Sequence, residues 1–252
     1  QANGTKELGT VPRNVDIRFF YTQKIGKVLF LIIESVGVLL GLNLQLQTAA
    51  ANRQVVPLQI EPKHTMSSST IAHGCIFFYG HKSGQHAFLS QFYQPATFVE
   101  VTEGVEEVFY CAEQYMMAGK ARCMGDEATR ALIMACGSEG RCDPKVFKRL
   151  GREVRNWDEA RWVAFRSRIV ERGSYLKFSH NPELARDLVA TGDLTLVEAA
   201  PRDRIWGIGL SIKEALKKRE SWRGLNLLGK ALEVARTALK TGDEVPEVDY
   251  GN

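Results

Sequence analysis

Apolar residues along this chain fall into two regimes. Between residues 28 and 46 they run together as VLFLIIESVGVLLGLNLQL, broken in the middle by Glu34 and Ser35. From Ile71 onward they are dispersed at the spacings of secondary structure. CIFFYG and FVEVTEGVEEVFYC are short β-branched and aromatic runs with glycine breaks, which predict strands or a hairpin. Beyond Tyr110 the period lengthens to that of helices. Asp126 is placed to cap DEATRALIMAC, with Gly137 as its stop; Asp143-Pro144 opens another helix, and Asp158 begins a long one to about Phe178. Asn181-Pro182 leads into ELARDLVAT with Gly192 as the stop. Ser211 and Glu214 have the spacing of a capping box, in which each end satisfies an orphan backbone donor of the other. Leu225, Leu228, Leu232, Ala235 and Leu239 recur along a last helix from about Gly224 to Lys240. The pattern predicts a mainly α fold: a single compact helical domain over residues 71–240 with a small β hairpin or sheet. Residues 241–252 read as a loose acidic tail.

The first regime has the outline of a signal-like segment, because Lys24 and Lys27 precede the apolar run and Ala49, Ala50 and Ala51 follow it. A carboxylate in its centre opposes a membrane span, at a cost of roughly 3 kcal/mol. Met66 heads a small polar stretch just before the globular pattern and is the expected start of the functional domain. Residues 1–65 are therefore expected to be an N-terminal extension outside the globular fold, with a targeting segment, a gene-model artefact or a membrane anchor as its alternatives.

Composition narrows the picture little. The 33 basic residues face 29 acidic ones, for a net charge of +4. That balance suits an anionic small molecule as well as a nucleic acid. The five cysteines form no CxxC pair, so neither zinc nor a disulfide framework is expected, and reduced thiols in a cytoplasmic or nuclear compartment are the default.

Three clusters carry candidate chemistry. In VFYCAEQYMMAGK, Glu113 shares a helix face with Met116, Met117 and Lys120. Among those apolar neighbours a carboxylate loses hydration, its pKa rises, and it suits acid–base work. The competing reading is a solvated Glu113–Lys120 pair. In APRDRIWGIGLS, Arg202, Asp203 and Arg204 crowd beside Trp206, while Gly207 and Gly209 permit close approach; guanidinium grips phosphate and indole offers a stacking face. A charged turn before a core tryptophan is the alternative. In GREVRNWDEARWVAFR, Arg152 leads to Trp157 and Trp162, the latter at a position that is usually core. His73, His81, His86 and His180 have no metal-ligand spacing.

Taken in order, FFYG, FLSQFY, CAEQYMMAGKA, KRLGREV, the long segment from ARWVAF to RIWGIG, and SWRGLNLLGKAL resemble the NADAR, or YbiA-like, family from about Ile76 to Leu239. The resemblance implies a largely helical fold and an N-glycosidase, a hydrolase that cleaves the bond between a phosphorylated ribose and a nitrogenous base. Its implied substrates are phosphoribosyl-aminopyrimidine intermediates of riboflavin biosynthesis or ADP-ribosylated guanine, the latter in reversal of ADP-ribosylation. By motif, the family's acid falls on Glu113, its lysine on Lys120, its tryptophan on Trp162 and its aspartate on Asp203. These imply Glu113, Lys120 and Asp203 as catalytic. Trp162, Trp206, Phe78, Ser90, Phe92, Arg152, Arg202, Arg204, Gly207 and Asn226 are the expected substrate-binding set. Gln91 stands where many members have asparagine. No metal or organic cofactor is expected, membrane association is not, and oligomeric state is left open. A non-catalytic ADP-ribose-binding module is the alternative of a different class.

Overall fold

Two pairs of residues with positive φ shape the β part of the fold. His73 and Gly74 (φ 53° and 74°) turn β1 (Ser69–Ala72) back onto β2 (Cys75–Phe78), and Glu103 and Gly104 (φ 53° and 79°) do the same for β3 (Phe98–Thr102) and β4 (Val105–Phe109). Positive φ at both central residues matches the right-handed twist of the flanking antiparallel strands, which is why two-residue hairpins use it. The computed structural model describes residues 69–137, 142–217 and 222–251. The apolar run at 28–46, and with it the predicted extension, lies outside the described residues.

The helices follow in chain order: α1 (Ala112–Cys123), α2 (Glu127–Gly137), α3 (Pro144–Arg152), α4 (Glu159–Ser179) and α5 (Pro182–Ala190), then β5 (Thr195–Glu198), α6 (Ile212–Lys217) and α7 (Leu227–Thr241). β5 pairs in parallel with β2, giving a three-stranded sheet in the order β1-β2-β5, with β3-β4 as a separate hairpin. The predicted mainly helical domain with a small sheet is thus the fold observed. Most predicted helix starts hold as well. Asp143 accepts from Lys145 N at 2.9 Å, Asp158 from Arg161 N at 3.0 Å, and Ser211 and Glu214 form the reciprocal box. Asp126 accepts from both Thr129 and Arg155, so it ties α2 to the loop before α4.

α1 is the centre of the domain. It is buried around nearly its whole circumference, Glu113 and Gln114 included, because α2, α3 and α4 pack on it. Glycines set the close approaches. A Cβ on Gly119 would lie 2.8 Å from Ile169 of α4, and one on Gly229 would lie 1.9 Å from the Leu196 carbonyl of β5.

Four expectations are corrected. The last helix starts at Leu227 rather than Gly224, because residues 225–228 bond back to the carbonyls of 204–207 and Asn226 adopts φ 53°; Leu225 is consequently exposed. Asn181 does not cap α5 with its side chain, which instead donates to the Thr97 and Lys177 carbonyls. Cys136, near the end of α2, and Cys142, just before α3, are disulfide-bonded, with their Cα atoms 6.1 Å apart. The acidic tail is not loose where described. Val245 is buried and its carbonyl accepts from Arg172 at 2.6 Å, while Tyr250 stacks on Phe165 and its carbonyl accepts from Arg161. Acidic composition suggested solvation; two arginines on α4 supply the donors that hold the tail's backbone down.

Candidate active site

The C-terminal ends of the parallel strands β2 and β5 open onto one two-lobed cleft. This is where α/β arrangements place ligands, since loops leaving parallel strands splay apart there. The inner lobe, about 730 Å³, is lined by Gln91, Glu113, Lys120, Trp206 and Leu228 among others. The outer lobe, about 820 Å³, is lined by Tyr79 to Ser83 from the loop after β2 and by Ala200 after β5. Ser90, Phe92, Lys148, Arg152, Glu198, Arg202 and Asp203 border both.

Three carboxyl groups converge on the cleft. Glu113 stands in the first turn of α1, where the helix dipole favours a negative charge. Its backbone N–H donates to Gln91 O at 3.0 Å, which joins α1 to the 88–93 loop. The side chain is only 5% exposed, and burial pushes its pKa up to about 7, opposed by Lys148 and reinforced by Asp203. Glu198, the last residue of β5, is pushed up to about 8 by burial and by the charges of Asp203 and Glu113. Asp203 closes a turn in which its Oδ1 accepts from Ile205 N and Trp206 N at 2.9 and 2.8 Å. That fixes the carboxylate at the rim and the Trp206 backbone beside it.

The cations face these acids. Lys120 donates to Gly151 O at 2.6 Å, and its ammonium lies 4.4 Å from the centre of the Trp157 ring and 5.8 Å from that of Trp162. Burial lowers its pKa, although Glu159 and Glu113 act the other way. No ion pair joins it to Glu113 among the described residues, so the solvated-pair reading does not hold. Lys148 sits over the Phe92 ring at 5.6 Å. Behind the 88–93 loop, fully buried Lys177 donates to the Phe88 and Ser90 carbonyls at 2.6 and 2.9 Å and braces the wall that carries Ser90 and Phe92. Burial lowers its pKa to about 7.

Of the residues expected from sequence, Glu113, Lys120, Asp203, Ser90, Phe92, Arg152, Arg202, Arg204 and Trp206 line the cleft. Four others stand behind its walls. Phe78 is in the core. Trp162 is buried behind Lys120. Gly207 packs where a Cβ would meet Glu198 O at 2.8 Å, so its missing side chain admits β5 rather than a ligand. Asn226 accepts from Glu198 N at 3.0 Å and donates to Leu196 O at 2.8 Å, and so clamps the end of β5. Glu198 and Lys148 escaped sequence reasoning. An acid closing the apolar run TLVE looks like a polar strand end, and the available signal was its position at the mouth of a buried strand. Among the described residues no group of three or more His, Cys, Asp or Glu is arranged to hold a metal ion. No described helix is long and apolar enough to cross a membrane.

The chain is similar to several known proteins. It is 44% identical over 162 residues to an N-glycosidase of Acanthamoeba polyphaga mimivirus, covering 62% of this chain and 91% of that protein. It is 34% identical to the protein irg-1 of Caenorhabditis elegans, covering 58% and 69%. A riboflavin biosynthesis protein of Vibrio vulnificus is 28% identical; the match covers 68% of this chain but only 40% of that longer protein. The solution structure of Escherichia coli YbiA shares the fold, with a TM-score of 0.50 at 23% identity over 72% of this chain and 91% of that one. The NADAR domain model matches residues 77–240, nearly all of the described fold, and this chain belongs to that family.

Proposed function

We propose that the chain is an N-glycosidase that hydrolyses the C–N bond between a phosphorylated ribose and a nitrogenous base. The observation that carries this reading is Glu113, a buried carboxyl with a proton affinity near neutrality at the floor of a cleft rimmed by Lys148, Arg152 and Arg202. The mimiviral relative's name, an N-glycosidase, supports the same reaction class. Cleavage of a ribosyl C–N bond develops positive charge at C1′, which an anion beside it stabilises. Glu113 in its ionised form meets that charge and takes a proton from the attacking water. Asp203, with one oxygen committed to its turn, has the other for ribose hydroxyls. Trp206 supplies a wall for the planar base, and the arginines and Lys148 hold phosphate. Both a phosphoribosyl-aminopyrimidine and an ADP-ribosylated guanine present these groups.

Lys120 offers a second route. Half-buried and unpaired with Glu113, Lys120 as a neutral amine would add to C1′ of the ring-opened riboside; its proton passes to the base nitrogen, the C1′–N bond to the base breaks, and the resulting Lys120 imine is hydrolysed by water. Purified protein incubated with each substrate type is expected to release free base, and borohydride added during turnover separates the routes: a stable adduct on Lys120 means the imine, none means water. Binding of ADP-ribose without base release from either substrate would instead make the chain a non-catalytic reader.

A further inference from the structure

Resting on the reading above, we infer that Glu198 is a catalytic residue, the carboxylic acid that hands a proton to the departing base. It borders both lobes of the cleft, and its Oε2 is buried with no hydrogen-bond partner among the described residues. Buried polar atoms are nearly always satisfied, so an orphaned one at the wall of a cavity is a site where a ligand atom completes the pairing. The backbone permits no retreat. Asn226 accepts the Glu198 N–H at 3.0 Å, and the Glu198 carbonyl accepts from Ile208 N at 2.9 Å. Pairing with β2 fixes the strand itself, with Phe78 opposite Glu198.

The charged groups around it decide which form it takes. Burial is the largest influence and disfavours ionisation; Asp203 from the loop after β5 and Glu113 from α1 carry like charge and act with it, and Lys148 from α3 acts the other way. Burial and like charge thus favour the protonated form of Glu198, whereas Glu113 stands in the first turn of α1, where the helix dipole favours its ionised form. Two carboxyls whose environments separate their proton affinities divide the acid and base roles between them. In the water route the C1′–N bond breaks with its electron pair going to the base nitrogen, which takes the Glu198 proton. The water oxygen bonds to C1′ and its proton passes to Glu113. Glu198 ends ionised and Glu113 protonated, and one proton exchanged through solvent restores both.

The test measures kcat and KM of the full chain from pH 5 to 10 on whichever of phosphoribosyl-aminopyrimidine and ADP-ribosyl-guanine the wild type hydrolyses. Wild-type kcat should fall on the alkaline side as Glu198 ionises. Glu198→Gln should lower kcat by about 100-fold, leave KM within a few fold and abolish the alkaline limb, and Glu198→Asp should keep the limb at a shifted pH. A Gln variant within tenfold of wild type, a loss confined to KM, or an alkaline limb that survives in the Gln variant overturns the assignment. Should Glu198→Gln fail to fold by circular dichroism, Glu198→Asp decides, because an unshifted limb there overturns it too. A wild type idle on both substrates instead removes the parent reading.

Discussion

Replacing Glu113 with glutamine should slow the enzyme and stabilise the protein, and the two effects have one cause. The carboxyl titrates near pH 7 in the folded chain against an ordinary 4.5. At 1.36 kcal/mol per pH decade of difference, the folded state is disfavoured by about 3 kcal/mol once the group is charged. Below pH 4.5 folded and unfolded chains both hold the proton, and the side chain costs nothing. Between pH 4.5 and 7 the unfolded chain releases its proton first, so wild-type stability falls as pH rises. Above pH 7 the cost is complete. Glutamine keeps the shape and never ionises. Its advantage over wild type should therefore grow from near zero at pH 4.5 to about 3 kcal/mol at pH 8.5, which in a domain of this size is about 10 °C in melting temperature. Because Glu198 titrates against Glu113, the transition belongs to the pair and its midpoint is macroscopic. Thermal melts of both proteins at half-unit pH steps measure it, with base release followed in parallel. Turnover should drop by about 100-fold, the scale of a positioned acid–base group. A melting-temperature difference that is flat from pH 4.5 to 8.5 would refute the buried, proton-holding Glu113 on which the mechanism rests.

Two further substitutions probe the frame that holds the site. Gly229→Ala places a Cβ 1.9 Å from the Leu196 carbonyl and 2.4 Å from the Asn226 amide; backbone cannot yield there, so a loss of about 3 kcal/mol is expected, and a wild-type urea midpoint would show that α7 and β5 are not locked together. Tyr250→Ala removes the stack on Phe165 and the ring under Arg122; it should cost about 3 kcal/mol in the same assay while leaving kcat near wild type at a permissive temperature, and unchanged stability would mean that the tail is not fastened to α4.

What could be read from the chain alone was whatever short-range physics determines. Caps such as Asp143 and Asp158 act on amides two or three residues away, and the turn at Glu103 and Gly104 lies within the run FVEVTEGVEEVFYC. The burial of Glu113 was legible for a similar reason: its apolar neighbours on α1 are local. The failures are non-local. Leu225 matched the period of the last helix, yet that helix could not begin there because the 204–207 turn takes up the backbone donors of residues 225–228. The tail's acidity said nothing of Arg161 and Arg172, distant in sequence, which bind its carbonyls rather than its carboxylates. Glu198 is the sharpest case. Nothing within TLVEAA tells a solvated strand end from a buried acid. Its burial requires β5 to lie parallel to β2, Gly207 to lack a side chain, and Asn226 to adopt a left-handed conformation that turns its amide onto the strand. Gly207 and Asn226 were expected to bind substrate. Their geometry serves instead to hold one carboxyl at the mouth of a strand, so their substitution should act on the site through Glu198 and not through lost ligand contacts.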